Sequence, residues 1–346
     1  MNISRFQQTG IFFLHNIPDI VVASPGAGEP TTVVIKVNGS TIFDEVLYAD
    51  AEGDCTLCDV PSLLEPYVTS HASVSINGQT ATVLYARLPI KAFFDEQVKV
   101  ADWLKDNFLS PVATRIVSDT EPVCLFAANA TDADLKIAIT GAYYDQNGMY
   151  MTKSIYRSAT PTTGVTTVLP LVFTLQEVQT ALAIHEPLVG FSIALGERLY
   201  KFRRMMGYPS VTIRYSNSFG KSEYLSLQGA LVTKPDISYT IATIKGEVRN
   251  MDVKSETVYQ MQTGAIDTDT LTAIRDMVES KETYLVEDGI DFPIVFEEAD
   301  LTRSNDKSEL QGVTFSFRRR KDRGALLESF TPTERIFSEQ FDWSFN

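Results

Sequence analysis

The sequence has few of the residues from which catalytic and metal sites are usually built. Its 346 residues include three histidines and three cysteines. The histidines are far apart in the chain, at positions 15, 71 and 185. An odd, small number of cysteines in a chain of this length does not describe a disulfide framework, so we expect reduced thiols.

One cysteine pair has the spacing of half a metal site. Cys55 and Cys58 form a C-x-x-C motif, but the sequence contains no second such motif and no H-x-x-x-H. A structural zinc ion normally needs four ligands. The surrounding pattern is typical of a strand, which would point the two thiols to opposite faces. We therefore predict no metal site, no redox role and no cofactor.

Motifs for nucleophilic catalysis and phosphate binding are also missing. There is no G-x-S-x-G elbow, and GAGEP at 26–30 lacks the Lys-Ser/Thr that completes a phosphate loop. No catalytic residue is predicted, and we expect a protein that is not an enzyme. A hydrolase stays open as a third possibility, because the paired carboxylates of glycosidases need only spatial proximity.

Long apolar runs and an excess of positive charge are absent as well. No window approaches the roughly 18 to 20 apolar residues that span a bilayer, and the N-terminal segment lacks the features of a secretory signal. We therefore expect that the chain is not inserted into a membrane and that it assembles in the cytoplasm. The chain has 44 acidic and 30 basic residues, a net charge of -14, which disfavours nucleic acid as a partner.

The clearest positive signals are Asn-Gly pairs between segments of alternating apolar residues. Such pairs suit two-residue type I′ turns, because both central residues need positive φ. The sequence predicts these turns at Asn38-Gly39, Asn77-Gly78 and Asn147-Gly148. Each turn would join two strands that bury one face.

The order of elements in residues 32–87 recurs in residues 135–204. Both stretches predict a hairpin, a short helix and another hairpin; Pro61 suits the first turn of the first helix, and Thr174 with Glu177 forms a capping box for the second. We predict a mainly β fold with a few short helices, a β-rich α+β chain of tandem β-sandwich-like modules. The predicted domains are 1–110, with a linker helix over 98–108, then 111–208 and 209–346.

The third domain combines strands with one packed helix. Strands are predicted over Val211–Tyr215, Leu225–Leu231 and 239–251, and another around Val313–Phe317. Asp267 is a suitable N-cap for a helix that continues to about Glu279.

Two segments are candidate contact surfaces. Basic residues cluster at Lys201, Arg203 and Arg204 and again in a second run: Arg318, Arg319, Arg320, Lys321 and Arg323. Aromatic residues cluster at the end of the sequence: Phe330, Phe337, Phe341, Trp343 and Phe345. The basic runs are either solvated strand ends or docking patches for an acidic neighbour. The aromatic segment either folds back on its own domain or docks on a neighbouring subunit.

The segment YSNSFGKSE at 215–223 resembles the Asn-x-Phe-Gly-x-x-Glu turn of structural proteins from phages and prophages of Bacteroides-like bacteria. The following YQMQTGAIDTDTLTAIRDMVESKETYLVEDG, then FSFRRRKDR at 315–323, and YADAEGDCTLCDVPSLLEPYV upstream resemble further parts of such tail-associated proteins. The resemblance covers about two thirds of the chain and carries over no catalytic residue. It implies a virion component of the tail, tail tip, baseplate or adaptor.

The resemblance and the β modules together give the functional hypothesis. We expect a virion structural protein that forms a homo-oligomeric ring or tube and binds other virion proteins, with Arg318 to Arg323 and Phe337 to Phe345 as candidate contacts. The alternative is a carbohydrate-binding β-sandwich, in which Tyr143, Tyr144 and Tyr150 would stack on sugar rings. Core and cross-strand packing is the competing role for these tyrosines.

Overall fold

The computed structural model describes residues 3–4, 10–23, 26–88, 90, 99–129, 135–159, 167–244, 247–301 and 312–320. The first stretch contains β1 (Ile3–Ser4), β2 (Ile11–Phe13), a 3-10 helix (Leu14–Asn16), β3 (Ile20–Ala23), β4 (Pro30–Val37), β5 (Ser40–Tyr48), β6 (Asp54–Leu57), α1 (Val60–Leu64), β7 (His71–Ile76) and β8 (Gln79–Leu84).

The second stretch contains α2 (Val100–Asp106), β9 (Thr114–Val117), β10 (Val123–Asn129), β11 (Leu135–Tyr144), β12 (Tyr150–Ala159), β13 (Thr167–Phe173), α3 (Leu175–Ala181), β14 (Leu188–Leu195) and β15 (Arg198–Arg204). The third contains β16 (Val211–Ser216), β17 (Ser222–Leu227), β18 (Gly229–Ile244), β19 (Glu247–Thr263), α4 (Thr268–Val278), β20 (Thr283–Glu287), β21 (Ile290–Asp300) and β22 (Thr314–Arg319). The chain is thus mainly β with short helices, as predicted.

Apart from β1, which adds to β3, the strands of the first two stretches repeat one another in order. The five-stranded sheets have the orders β5-β4-β7-β8-β2 and β12-β11-β14-β15-β9. In each sheet the last pairing is parallel and the others are antiparallel. In each stretch a further antiparallel pair, β3 with β6 and β10 with β13, completes the unit. The repeat predicted from the order of elements is therefore confirmed at the level of topology.

The third stretch is a modified version of the same unit. Its sheet begins in the order β17-β16-β20-β21, which matches β12-β11-β14-β15, and α4 occupies the place of α3 before the second hairpin. The long hairpin of β18 and β19 replaces the single strand that precedes the helix in the other two units. β22 then pairs with both β21 and β19 and joins them into one seven-stranded sheet.

Two of the three predicted Asn-Gly turns are confirmed. Asn38 and Asn77 have φ of 50° and 45°, and the glycines after them have φ of 86° and 85°. The two asparagines also join the neighbouring strands: Ser73 N donates to Asn38 Oδ1 at 2.9 Å, and Val34 N donates to Asn77 Oδ1 at 2.7 Å. Each turn therefore extends the pairing of β4 with β7.

The prediction of a two-residue turn at Asn147-Gly148 is wrong. β11 ends at Tyr144 and β12 begins at Tyr150, so the loop has five residues. Asp145 Oδ1 accepts hydrogen bonds from Asn147 N at 2.9 Å and Met149 N at 2.8 Å. By accepting these backbone N–H groups, the carboxylate stabilises a wider turn. Within the turn Gly148 alone has positive φ. A two-residue turn that the sequence analysis missed lies at Asp288 and Gly289, both with positive φ.

The predicted helices are confirmed. α1 has a proline in its first turn, α3 begins with the Thr174–Glu177 capping box, and Thr270 N donates to Asp267 Oδ1 at the start of α4. The prediction of one strand through Leu225–Leu231 is wrong, because β17 ends at Leu227 and β18 begins at Gly229, whose φ of 154° breaks the strand.

Buried apolar side chains form three large clusters, one for each repeat unit, and a smaller cluster that joins them. The small cluster combines Phe13 and Leu84 of the first unit, Leu104 of α2, Ala128 of β10 and Phe219 of the third unit. The domain limits at 110 and 208 remain predictions. None of the described helices is long and apolar enough to cross a membrane.

Candidate assembly surfaces and the buried junction

The turn that carries the phage-like sequence pattern lies where the three units meet. We call residues 217–223, with the side chains that contact them, the junction. Asn217 Oδ1 accepts hydrogen bonds from the backbone of Phe219 at 2.9 Å and Lys221 at 3.0 Å. Asn217 Nδ2 donates to the carbonyl oxygen of Leu109 at 2.9 Å and to Glu223 at 2.8 Å. One amide therefore closes the turn and binds it to the segment before β9.

Phe219 and Gly220 fit the turn tightly against the first unit. The Phe219 ring lies 5.7 Å from that of Phe13 and 6.1 Å from that of Trp103, measured between centroids. Gly220 has φ of 66°, and a Cβ there would lie 2.6 Å from the carbonyl oxygen of Thr69. The sequence N-x-F-G is thus dictated by hydrogen bonding, packing and close backbone approach.

A buried ion pair completes the junction. Glu223 is 0% exposed and Arg115 is 5% exposed. The Arg115 guanidinium donates to Glu223, and the Tyr215 hydroxyl donates to the same carboxylate at 3.1 Å. Because a buried charge is costly unless it is paired and hydrogen-bonded, these contacts fix the second unit against the third.

A second ion pair connects the first unit to α4. Arg87 Nη2 lies 2.5 Å from Asp276 Oδ1, and Ser218 N donates to Asp276 Oδ2 at 3.1 Å. Lys221 donates to Ser70 of the first unit. The junction therefore contacts every unit through buried or half-buried polar groups.

Burial shifts the pKa of groups within the junction and beside it. It raises the pKa of Glu121 to about 7, against the hydrogen bonds from Ser226 and Ser118 and the charge of Arg115. It also raises the pKa of Asp276 to about 6, opposed by Arg87, and lowers the pKa of Lys221 to about 8. These groups surround a packed junction, so the shifts are a consequence of its burial.

The long hairpin of β18 and β19 extends beyond the sheet to which it belongs. β22 pairs with β19 only over Val258–Gln262. Beyond that point the pairs from Pro235–Thr257 to Ile244–Glu247 have no third strand among the described residues. We call this two-stranded segment, residues 235–244 and 247–257, the arm. At about 3.3 Å per residue it is roughly 30 Å long.

The arm exposes large apolar side chains. Ile237 is 45% exposed, Tyr239 56%, Ile241 61% and Val248 71%. Ile237 and Tyr239 lie on the same face of β18 as Leu231. At the base of the hairpin Leu231 packs against the core of the third unit. Along the arm the same face is exposed to solvent.

Charge also distinguishes the hairpin from the rest of the chain. Residues 229–263 contain four basic residues and four acidic ones: Lys234, Lys245, Arg249, Lys254, Asp236, Glu247, Asp252 and Glu256. The remainder of the chain therefore carries the whole net charge of -14. A neutral segment can approach an acidic copy without the repulsion that two acidic surfaces would meet.

The three described basic residues of the predicted contact run, Arg318, Arg319 and Arg320, already have partners within the chain. Arg318 pairs with Glu256 and, at 2.6 Å, with Glu297. Arg319 pairs with Glu287 and lies 4.2 Å above the Phe292 ring. Arg320 Nη2 donates to the carbonyl oxygen of Lys281 at 3.1 Å.

Of the other basic run, Arg203 pairs with Asp267 at 2.6 Å and Arg204 pairs with Asp119. The other predicted contacts, Lys321, Arg323, Phe337, Phe341, Trp343 and Phe345, lie outside the described residues.

The residues considered for other functions lie apart. Cys55 is buried and Cys58 is exposed, and no group of three or more histidine, cysteine or acidic residues in the described ranges could hold a metal ion. Tyr143 packs against the core of the second unit. Tyr144 and Tyr150 are exposed, but their rings contact each other edge to face, with centroids 5.8 Å apart.

The prediction of one strand over 239–251 is wrong, because β18 ends at Ile244 and β19 begins at Glu247, and the two strands pair as the arm. Sequence reasoning also missed the ion pair of Arg115 with Glu223. The arm has a local signal, since Ile237, Tyr239 and Ile241 alternate with polar residues in a stretch much longer than an ordinary strand. The ion pair has none, because its members are 108 residues apart.

Comparisons with known proteins do not identify a family for the chain. No family model matches the chain, and no curated protein matches it. One solved structure that matches is titled as the tail of an empty GTA particle, a gene transfer agent, computed with helical refinement and C6 symmetry. The identity is 11% and the TM-score 0.24, over 32% of this chain and 91% of that chain. A likeness at this level establishes neither the fold nor the function of the chain.

Proposed function

We propose that this protein is a structural subunit of a virion tail that assembles with copies of itself. The observation that carries the proposal is the arm, which exposes four large apolar side chains on a two-stranded segment roughly 30 Å long. An isolated two-stranded hairpin is marginally stable in water, and exposed apolar strands are liabilities that proteins usually cover. A neighbouring subunit would supply that cover.

The size of the arm suits a subunit interface. A ribbon roughly 30 Å long and about 10 Å wide presents about 300 Å² on each face. Both faces and the outer edge together approach the roughly 800 Å² per partner of a stable interface. The junction supports the same role, because its hydrogen bonds and ion pairs join the unit that carries the arm to the other two units.

The position in the virion is a finer part of the proposal. The resemblance of the Asn217 turn to tail-associated proteins favours a tail, tail-tip or adaptor component that forms a ring or tube with other virion proteins. The chain would act without catalysis and without a cofactor. The host group implied by the resemblance remains a prediction.

The test is the mass of the full chain in solution, measured by analytical ultracentrifugation, with negative-stain images of any rings or tubes. The arm variant changes Ile237, Tyr239 and Ile241 to serine. The control changes to serine the exposed Tyr208, a residue that lies outside the arm. We expect oligomers for the wild type and the control and monomers for the arm variant. A monomeric wild type at high concentration would overturn the proposal.

A further inference from the structure

The five-stranded sheets of the first two repeat units have equivalent strands, β5 and β12, at one edge. Each is the outermost strand of its five-stranded sheet, with no partner on its outer side among the described residues. The equivalent strand of the third unit, β17, differs, because its side chains Glu223 and Leu225 are buried. Among the described residues the outer edges of β5 and β12 are both open, and open edges are templates for pairing with another chain.

The two open edges carry opposite charges. β5 (Ser40–Tyr48) contains Asp44 and Glu45 and no basic residue. β12 (Tyr150–Ala159) contains Lys153 and Arg157 and no acidic residue. Since the two strands have the same place in repeated units, the structure offers two edges of matching geometry and complementary charge.

The side-chain pattern of the two edges also fits one antiparallel register. Glu45 is on the core side of its sheet, because its β4 partner Val33 is buried. Lys153 is on the core side too, because it lies two residues from Ile155, whose partner Ile139 is buried. Directly opposite residues of an antiparallel pair share a face, so Glu45 and Lys153 can lie opposite each other.

That register brings apolar residues together on both faces. With Glu45 opposite Lys153, Phe43 lies opposite Ile155 and Leu47 lies opposite Met151. On the other face Tyr48, which is 72% exposed, lies opposite Tyr150, which is 60% exposed. Cross-strand aromatic and opposite-charge pairs are the contacts that stabilise sheets.

We propose that β5 of one copy pairs antiparallel with β12 of a second copy, with Glu45 opposite Lys153. The contact uses two different edges, so one copy keeps its β12 edge free, the other keeps its β5 edge free, and further copies can add at both ends. Such a head-to-tail contact generates a closed ring or an open filament. This inference rests on the proposed self-assembly and specifies which surfaces perform it alongside the arm.

Charge exchange tests the pair. Glu45→Lys and Lys153→Glu should each weaken association at least tenfold in sedimentation experiments, and the double variant should recover most of the affinity. Glu52→Lys makes the same charge change at an exposed position beyond β5 and should leave association unchanged. Circular dichroism and thermal melts check that every variant is folded. Single variants that associate like the wild type, or a double variant that does not recover, would overturn the pairing.

A disulfide cross-link tests the register. In a Cys58→Ser background, Val46→Cys protein is mixed with Thr152→Cys protein and oxidised. Opposite Cα atoms about 4.5–5.5 Å apart fall within disulfide range, so we expect a covalent dimer. Val46→Cys mixed with Ser158→Cys, displaced by about 20 Å along the strand, should give none. Wild-type oligomers without the first cross-link would overturn only the edge pairing, whereas a monomeric wild type would overturn the proposed function as well.

Discussion

The junction and the arm are both built on the third repeat unit, yet they differ in what they bury. At the junction, charged groups such as Glu223 and Arg115 are enclosed and paired, and Phe219 packs between two aromatic rings. On the arm, Tyr239 and Ile241 are more than half exposed. The first arrangement stabilises one chain, and the second leaves apolar surface exposed. If the arm is the assembly surface that we propose, we expect that stability and assembly can be changed separately.

The largest expected effect is at the buried ion pair. Glu223→Ala leaves Arg115 charged and unpaired, which we expect to lower the free energy of unfolding by about 3–5 kcal/mol. Urea denaturation measures the loss. The control is Glu256→Ala, which removes a partner of the half-exposed Arg318 and should cost less than about 1 kcal/mol. Equal losses would contradict the special role of the junction.

The next largest effect is at the aromatic contact. Phe219→Ala should cost about 3 kcal/mol, because it leaves a cavity beside Phe13 and Trp103. Tyr208→Ala, at a side chain 94% exposed, should change stability by less than about 0.5 kcal/mol. Denaturation midpoints that shift equally for the two variants would show that the units do not pack through Phe219.

Stability should also depend on pH through Glu121. Burial raises its pKa from 4.5 to about 7, so between those values the folded state binds more protons than the unfolded state. The contribution is fully present below pH 4.5 and is lost as the pH rises through 7. Thermal melts between pH 4.5 and 7.5 measure the slope. Glu121→Gln should flatten this slope, and an unchanged slope would exclude Glu121 as its source.

The smallest expected effect on folding is at the arm. The triple change of Ile237, Tyr239 and Ile241 to serine should alter the free energy of unfolding by less than about 1 kcal/mol, since the three side chains are already largely in water. Chemical denaturation at a concentration where the wild type is monomeric isolates this effect. A loss as large as that of Glu223→Ala would mean that the arm packs on its own chain.

The sequence predicts local features well and distant ones poorly. The turns at Asn38 and Asn77 follow from backbone conformation, and the start of α4 follows from the Asp267 side chain. The prediction of a two-residue turn at Asn147 is wrong, because the neighbouring Asp145 carboxylate accepts hydrogen bonds from the loop backbone. A rule that assigns a turn from the Asn-Gly pair alone does not include such a neighbouring side chain.

Sheet order and the contact sites depend on contacts between distant residues. The matching orders of the first two sheets include parallel pairs of β2 with β8 and β9 with β15, which no local pattern specifies. The basic run at Arg318 to Arg320 stands out in the sequence, but the structure gives Arg318 and Arg319 acidic partners within the chain. We propose the arm as the contact surface, and its exposure is set by where β22 ends its pairing with β19.

The most direct test of assembly through the arm is the solution mass of the wild type and of the arm variant at equal concentration. We expect a defined oligomer for the wild type and a folded monomer for the variant carrying serine at 237, 239 and 241. An arm variant that forms the same oligomer as the wild type would contradict the assignment of the arm as the assembly surface.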